Sequence, residues 1–178
     1  MERQTDAGSR AWGDLARGGV IGGLVGGIVL AMLMMIVTAI MGMGLLRPLY
    51  LLAATFHAPW AMTNGVDVAP LLVGLMLHMV NSAIFGLIFA LLLGAMMSTR
   101  SMSLTTWAIG GMVLGLLLFA VNQYLVLPIV APAMATGVGT ILIWWLLGHV
   151  MYGVVLGLIV GSPAGVRAAV PVGARQPA

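Results

Sequence analysis

The chain has no cysteine and no lysine, and only 6% of its 178 residues are charged. Each shortage removes a class of chemistry. Without cysteine there is no disulfide, no thiolate metal site and no iron–sulfur cluster. The acidic residues are confined to Glu2, Asp6, Asp14 and Asp67, so an activated serine or threonine would lack the carboxylate, lysine or thiol partners that such chemistry uses. Ser82, four residues after His78, therefore reads as a small packing residue, and the chain as a non-enzyme. The seven basic residues are all arginine and stand at the ends of apolar segments rather than in one patch. Despite a pI near 10.2, that scatter argues against nucleic acid as a partner.

What is present is hydrocarbon. At 62% hydrophobic residues, the chain has too little polar surface to coat a soluble globule, and its partner is the lipid bilayer. A helical span needs about 20 apolar residues. Four segments qualify, at roughly 19–44, 70–97, 104–127 and 139–161. The first is too long for the core of a cleaved signal peptide, about 7–15 residues, and is expected to remain. Arg3, Arg10 and Arg17 precede it, Arg100 lies between the second and third spans, and Arg167 and Arg175 follow the fourth; Arg47 alone lies on the other side. The positive-inside rule then makes both termini and the 98–103 turn cytoplasmic.

Residues 1–18 read as a polar cytoplasmic lead-in, weakly helical at best, and 162–178 as a disordered cytoplasmic tail. Gly18, Gly19, Gly22, Gly23, Gly26 and Gly27 open the first span, so another backbone must pack there. That glycine-rich face leaves room for a homodimer or a larger membrane complex. Between the first two spans, Pro48 can start a short helix at the outer surface carrying Tyr50, Leu51, Leu52 and Phe56, with Trp60 at the headgroup level and His57 exposed. Asn64-Gly65 reads as a turn, and Asp67 with Pro70 as the entry to the second span. Pro128 and Pro132 close the third.

Reading every fourth residue from Gly74 gives His78, Ser82, Gly86, Ala90 and Gly94, one histidine in a ribbon of small side chains on one helical face. Trp145, His149, Gly153, Gly157 and Gly161 repeat the pattern. Gly26 to Leu30 is answered by Gly110 to Leu114, with Leu33, Val37 and Pro48 matched by Leu117, Val121 and Pro132. The expected architecture is all-α: a polytopic four-helix bundle over 19–161, built from two tandem hairpins in a parallel internal repeat. The second and fourth spans are expected to meet near one axis. Packing falls to Gly19, Gly23, Gly27, Ser82, Gly86, Gly111, Gly115, Gly153 and Gly157. Repeat symmetry pairs His78 with His149, Asn81 with Tyr152 and Thr38 with Asn122. His78 lies eight residues past Pro70, about 12 Å along a helix. His78, Asn81, Asn122, Gln123, His149 and Tyr152 then form a polar layer in the outer half of the bilayer.

An ionisable group inside a membrane is a functional hypothesis by default. Against it stands a neutral imidazole satisfied by an interhelical hydrogen bond, typically about 0.6 kcal/mol. Three roles follow: a structural or accessory subunit or small-ligand-binding bundle; a b-type haem electron carrier with His78 and His149 as axial ligands; and a proton or small-solute pathway. The last is weakened by the lack of carboxylates within the spans. Fifteen methionines raise Cu(I), but flexible apolar filler is the commoner use of methionine.

The second-span histidine followed by small residues, the third span ending at Pro128 and Gly148-His149 opening an apolar run resemble YagU-type and related small bacterial inner-membrane proteins. That resemblance implies a bacterial or archaeal inner membrane location and no assigned chemistry. The chain departs from it in lacking the charged residues such proteins often carry in the outer loop.

Overall fold

The computed structural model describes residues 2–96, 102–130 and 139–162. The link carrying Arg100, Pro132 and the tail from Pro163 onward lie outside the described residues. Helix α1 (Glu2–Ile40) is followed by α2 (Arg47–Ala53), a 3₁₀ turn (Ala58–Met62), α3 (Val68–Met96), α4 (Leu104–Val121) and, after a 3₁₀ turn at Gly139–Ile141, α5 (Leu142–Val160). Four of these helices, α1, α3, α4 with its extension, and α5, are long and apolar enough to cross a membrane. Their outward faces carry Ile28, Met32, Leu72, Ile84, Leu117 and Leu158 exposed, the surface a hydrocarbon solvent requires.

The lead-in is helical, contrary to the sequence expectation. At 39 residues, α1 is about 58 Å long, well beyond the roughly 30 Å hydrocarbon core. The inner part of the lead-in packs on α3: Leu15 is buried, and a side chain at Gly94 would collide with it and meet Trp12. The other end of α1 falls short of residue 44. Gly42, at φ +72°, takes the left-handed conformation, while Met43 N–H donates to the Thr38 carbonyl at 2.8 Å and Gly42 N–H to Ala39 at 3.0 Å. That pair of bonds is the Schellman stop signal.

The third span continues past Pro128. Proline gives no N–H, and its ring presses on the carbonyl four residues back. Here the helix widens into a π turn (Asn122–Val126), where Leu127 N–H reaches the Asn122 carbonyl, and a last turn (Leu127–Val130) follows. The extra residue absorbs the proline. At the other end, the Ser103 hydroxyl caps α4 by accepting from Thr106 N–H at 3.1 Å.

Helix pairing is set by glycine. A Cβ on Gly23 would overlap the Ser82 carbonyl, and one on Gly27 the Ser82 side chain, so α1 and α3 run antiparallel with their backbones in contact. Gly111 and Gly153 face each other's carbonyls, and Gly115 faces that of His149, joining α4 to α5 in the same way. The adjoining stripe of α1, Gly22 and Gly26, receives Leu156 and Tyr152 of α5. Gly19, Gly23 and Gly27 on one stripe of α1 and Gly22 and Gly26 on the other are thus packed within the chain. The second and fourth spans do not meet along an axis; the inner pair is α1 with α5, and α3 and α4 flank them.

Segment α2 is tucked in rather than free. Its Leu49 carbonyl lies against Gly74 of α3, and Leu49, Tyr50 and Ala53 are buried. The Tyr50 hydroxyl donates to the Gly65 carbonyl at 2.9 Å and accepts from Asp67 N–H at 3.0 Å, while Arg47 donates to the Ala61 carbonyl. Gly65, at φ +80°, makes the expected turn.

These contacts predict opposite signs at two glycines. Gly23→Ala forces α1 off α3 and should lower thermal stability by about 1–3 kcal/mol. Gly18→Ala meets nothing within 4 Å and should gain up to about 1 kcal/mol from helix propensity. Thermal unfolding in detergent, followed by fluorescence-detected size exclusion, reads both.

Candidate functional site

Five elements line a cavity of about 270 Å³ within the bundle. Leu30, Ala31 and Met34 of α1 form its back wall, His78, Asn81, Ser82 and Phe85 of α3 one side, and Trp145, His149 and Tyr152 of α5 the other. Leu118, Asn122 and Val126 of α4 and its π turn complete the walls, and Pro48, Leu49 and Leu52 of α2 form a roof. The lining is mostly apolar, with polar groups from three spans converging on it. A concave, largely apolar space with a few directed polar groups is the usual form of a small-molecule site.

Helix register puts these groups in one layer. Gly27 lies against Ser82 and its neighbour Gly26 against Tyr152, so Ser82 and Tyr152 are level, and the Tyr152 hydroxyl donates to the Ser82 carbonyl at 2.7 Å. Both α3 and α5 run antiparallel to α1 and hence parallel to each other. His78 precedes Ser82 by one turn and His149 precedes Tyr152 by nearly one, so the two imidazoles share that layer.

Each histidine is held by a carbonyl. His78 Nε2 lies 2.7 Å from the Gly27 carbonyl of α1, reached because the neighbouring helix has no side chain there. His149 Nδ1 lies 2.8 Å from the Trp145 carbonyl one turn back in its own helix. Its ring is set edge-on between Trp145, at 4.9 Å between centroids, and Phe119 of α4, at 5.9 Å. His149 is 6% exposed. Ser82 does more than fill space: its hydroxyl donates to the His78 carbonyl at 2.7 Å.

The remaining layer residues divide. Asn122 lines the cavity half-buried, and Asn81 lines it while exposed on the outer side of α3. Gln123 is buried but not on the cavity wall. Thr38, the repeat counterpart of Asn122, is fully buried and bonds back to the Met34 carbonyl at 2.9 Å, which removes it from the site. His57 is exposed beside Trp60, at 5.1 Å between ring centroids. Sequence reasoning missed the roof formed by α2 and the ring contacts of Phe119; the aromatic at Phe119 carried no polar signal.

Axial haem ligation would need Nε2 of both histidines turned to one iron. The His149 arrangement suits this, because an Nδ1–H held by a carbonyl fixes the tautomer with Nε2 bare. His78 has its Nε2 engaged with Gly27, so the pair as folded does not fit a bis-imidazole haem. Among the described residues there is no group of three or more His, Cys, Asp or Glu placed to hold a metal ion.

No protein-family model matches the chain, and neither a curated protein nor a solved structure does.

Two outcomes follow. Tyr152→Phe removes the α5–α3 bond and should cost about 0.6 kcal/mol, the usual worth of such a bond in lipid, measured by thermal unfolding in detergent. A reduced-minus-oxidised visible spectrum of the protein purified from its own membrane should show no Soret feature. A Soret band lost in both His78→Ala and His149→Ala would restore the haem assignment.

Proposed function

We propose that this is a non-enzymatic integral protein of a bacterial or archaeal cytoplasmic membrane, whose helical bundle binds a small ligand at the His78/His149 layer. Both termini and the α3–α4 link are placed on the cytoplasmic side by the arginine distribution, and α2 at the outer headgroup level by its aromatic residues. Two tandem hairpins related by a parallel repeat account for the paired registers. Gly27 against Ser82 in the first hairpin corresponds to Gly111 against Gly153 in the second, the same offsets that align the two halves in sequence.

The observation that carries the ligand-binding role is the cavity itself: about 270 Å³ of space with His78, Asn81, Asn122, His149 and Tyr152 on its walls. Polar groups in lipid are costly unless something satisfies them, on the order of 1–3 kcal/mol each from mutational data. A purely structural bundle would be expected to fill such a space with apolar side chains. A proton or solute pathway would need a polar route to both faces. The bundle is instead packed tightly on the far side of the layer, where Phe89, Trp107, Leu156 and Val160 are buried together.

Native mass spectrometry tests this reading. The wild-type protein, extracted gently from its own membrane, should carry a small-molecule adduct absent from Ala31→Phe, which places a ring in the cavity. Helicity of the variant should be unchanged by circular dichroism. No adduct in either protein, or the same adduct in both, would contradict ligand binding at this layer.

A further inference from the structure

Hydrogen-bond polarity decides what the cavity recognises. A backbone carbonyl only accepts, so His149 Nδ1, facing the Trp145 carbonyl at 2.8 Å, carries the proton and Nε2 is a bare acceptor. His78 has the opposite tautomer: Nε2–H is given to Gly27 at 2.7 Å, and Nδ1 is bare. Tyr152 spends its hydroxyl proton on the Ser82 carbonyl, leaving lone pairs alone on its oxygen. His149 is 6% exposed and has no partner for Nε2 among the described residues. Three cavity-lining groups are therefore acceptors with no donor to offer, whereas Trp145 on the same wall keeps a buried Nε1–H without a partner. Acceptors outnumber that donor, so the site suits hydroxyl groups, which donate and also accept.

Charge narrows the choice. None of the residues lining the cavity is acidic, so an ammonium group would enter without a counter-ion, and an anion would face lone pairs. Aromatic rings around the layer, Trp145 and Phe85 on the wall and Phe119 behind His149, suit a flat ring.

The way in is lateral. Pro48, Leu49 and Leu52 of α2 cover one end of the cavity. Toward the other end the gap between α3 and α4 is closed by Phe89 against Trp107, at 6.0 Å between ring centroids, and by Leu93 near Gly110. Between these, α3 and α4 have no close backbone packing, and the cavity is flanked by Asn81, exposed, and Asn122, half-buried. On the repeat proposed above, the α3–α4 interface is the counterpart of α1–α5. Tyr152 fills the latter against Gly26, whereas its counterpart on α3 is the much smaller Asn81. An exposed amide on a lipid-facing helix is costly without a use.

We propose that the cavity takes an uncharged amphiphile with a dihydroxylated aromatic headgroup, which enters from the bilayer between α3 and α4 past Asn81 and Asn122 and donates its hydroxyl hydrogens to His149 and His78. This assignment rests on the ligand-binding reading and adds the class of ligand and its route.

The test uses the full-length protein in nanodiscs and two probes of one shape. They are 4-hexylresorcinol and its isostere 1,3-difluoro-4-hexylbenzene, which has no donors. After correction for partitioning into lipid, the diol should bind the wild type about tenfold more tightly, the worth of two hydrogen bonds. In His149→Phe that preference should fall to about threefold or less. In Asn81→Phe, whose ring stands at the mouth, diol association followed by stopped-flow tryptophan fluorescence should slow by about tenfold. Equal saturable binding of both probes by the wild type would overturn the ligand class while leaving a binding cavity. An unchanged rate in Asn81→Phe would overturn the lateral route. No saturable binding of either probe would overturn the inference, and the native adduct then decides separately whether a ligand of another class occupies the site. If His149→Phe does not fold, the wild-type preference and the Asn81→Phe rate still decide both claims.

Discussion

Contact between helix backbones, permitted by glycine, is the constraint on which this structure depends. Lipid chains are as apolar as leucine, so helices in a membrane are not driven together by the hydrophobic effect; they associate where surfaces fit closely. Helix α1 supplies two such surfaces. Gly19, Gly23 and Gly27 accept α3, and Gly22 and Gly26 accept α5. The same device joins α4 to α5 through Gly111, Gly115, Gly153 and Gly157. Three helix pairs are thereby locked in register, and the fourth, α3 with α4, meets through longer side chains.

The polar layer is a consequence of that unequal packing. Because Gly27 has no side chain, its carbonyl is open to His78 across the helix pair. Because Gly26 has none, Tyr152 can lie across α1 and reach Ser82. Three backbone carbonyls, one across the α1–α3 contact, one within α5 and one between α5 and α3, take a polar hydrogen from His78, His149 and Tyr152, and all three residues line the cavity. Where α3 and α4 stand apart, space remains; the glycine contacts elsewhere hold that space open by fixing the walls.

Much of this was legible in the sequence, and the exceptions have identifiable physical causes. Four membrane-crossing helices follow from long apolar runs, and the small-residue stripes named the packing faces, since few other reasons exist for so much glycine in a span. His78, Asn81, Asn122, His149 and Tyr152 do line one cavity. The partner of each stripe was harder to read. A glycine shows that something comes close without saying what, and here Gly19, Gly23 and Gly27 receive α3 while Gly22 and Gly26 receive α5. In the lead-in, Leu15 packs at Gly94, a contact between residues far apart in the chain that local sequence does not signal. Continuation through Pro128 depends on a π turn, which local propensity does not signal. Thr38 was paired by symmetry with Asn122, yet a threonine in a helix can satisfy itself on its own backbone, as it does here.

The central claim is that two imidazoles of opposite tautomer present bare nitrogens to one cavity within the bilayer. Nitrogen-15 NMR of histidine-labelled protein in lipid tests it most directly, since the chain has three histidines and each can be assigned by substitution. His149 should appear as the neutral Nδ1–H form and His78 as the neutral Nε2–H form, and Ala31→Phe should perturb both together. Two histidines of the same tautomer, two charged rings, or a response confined to one of them would contradict the account.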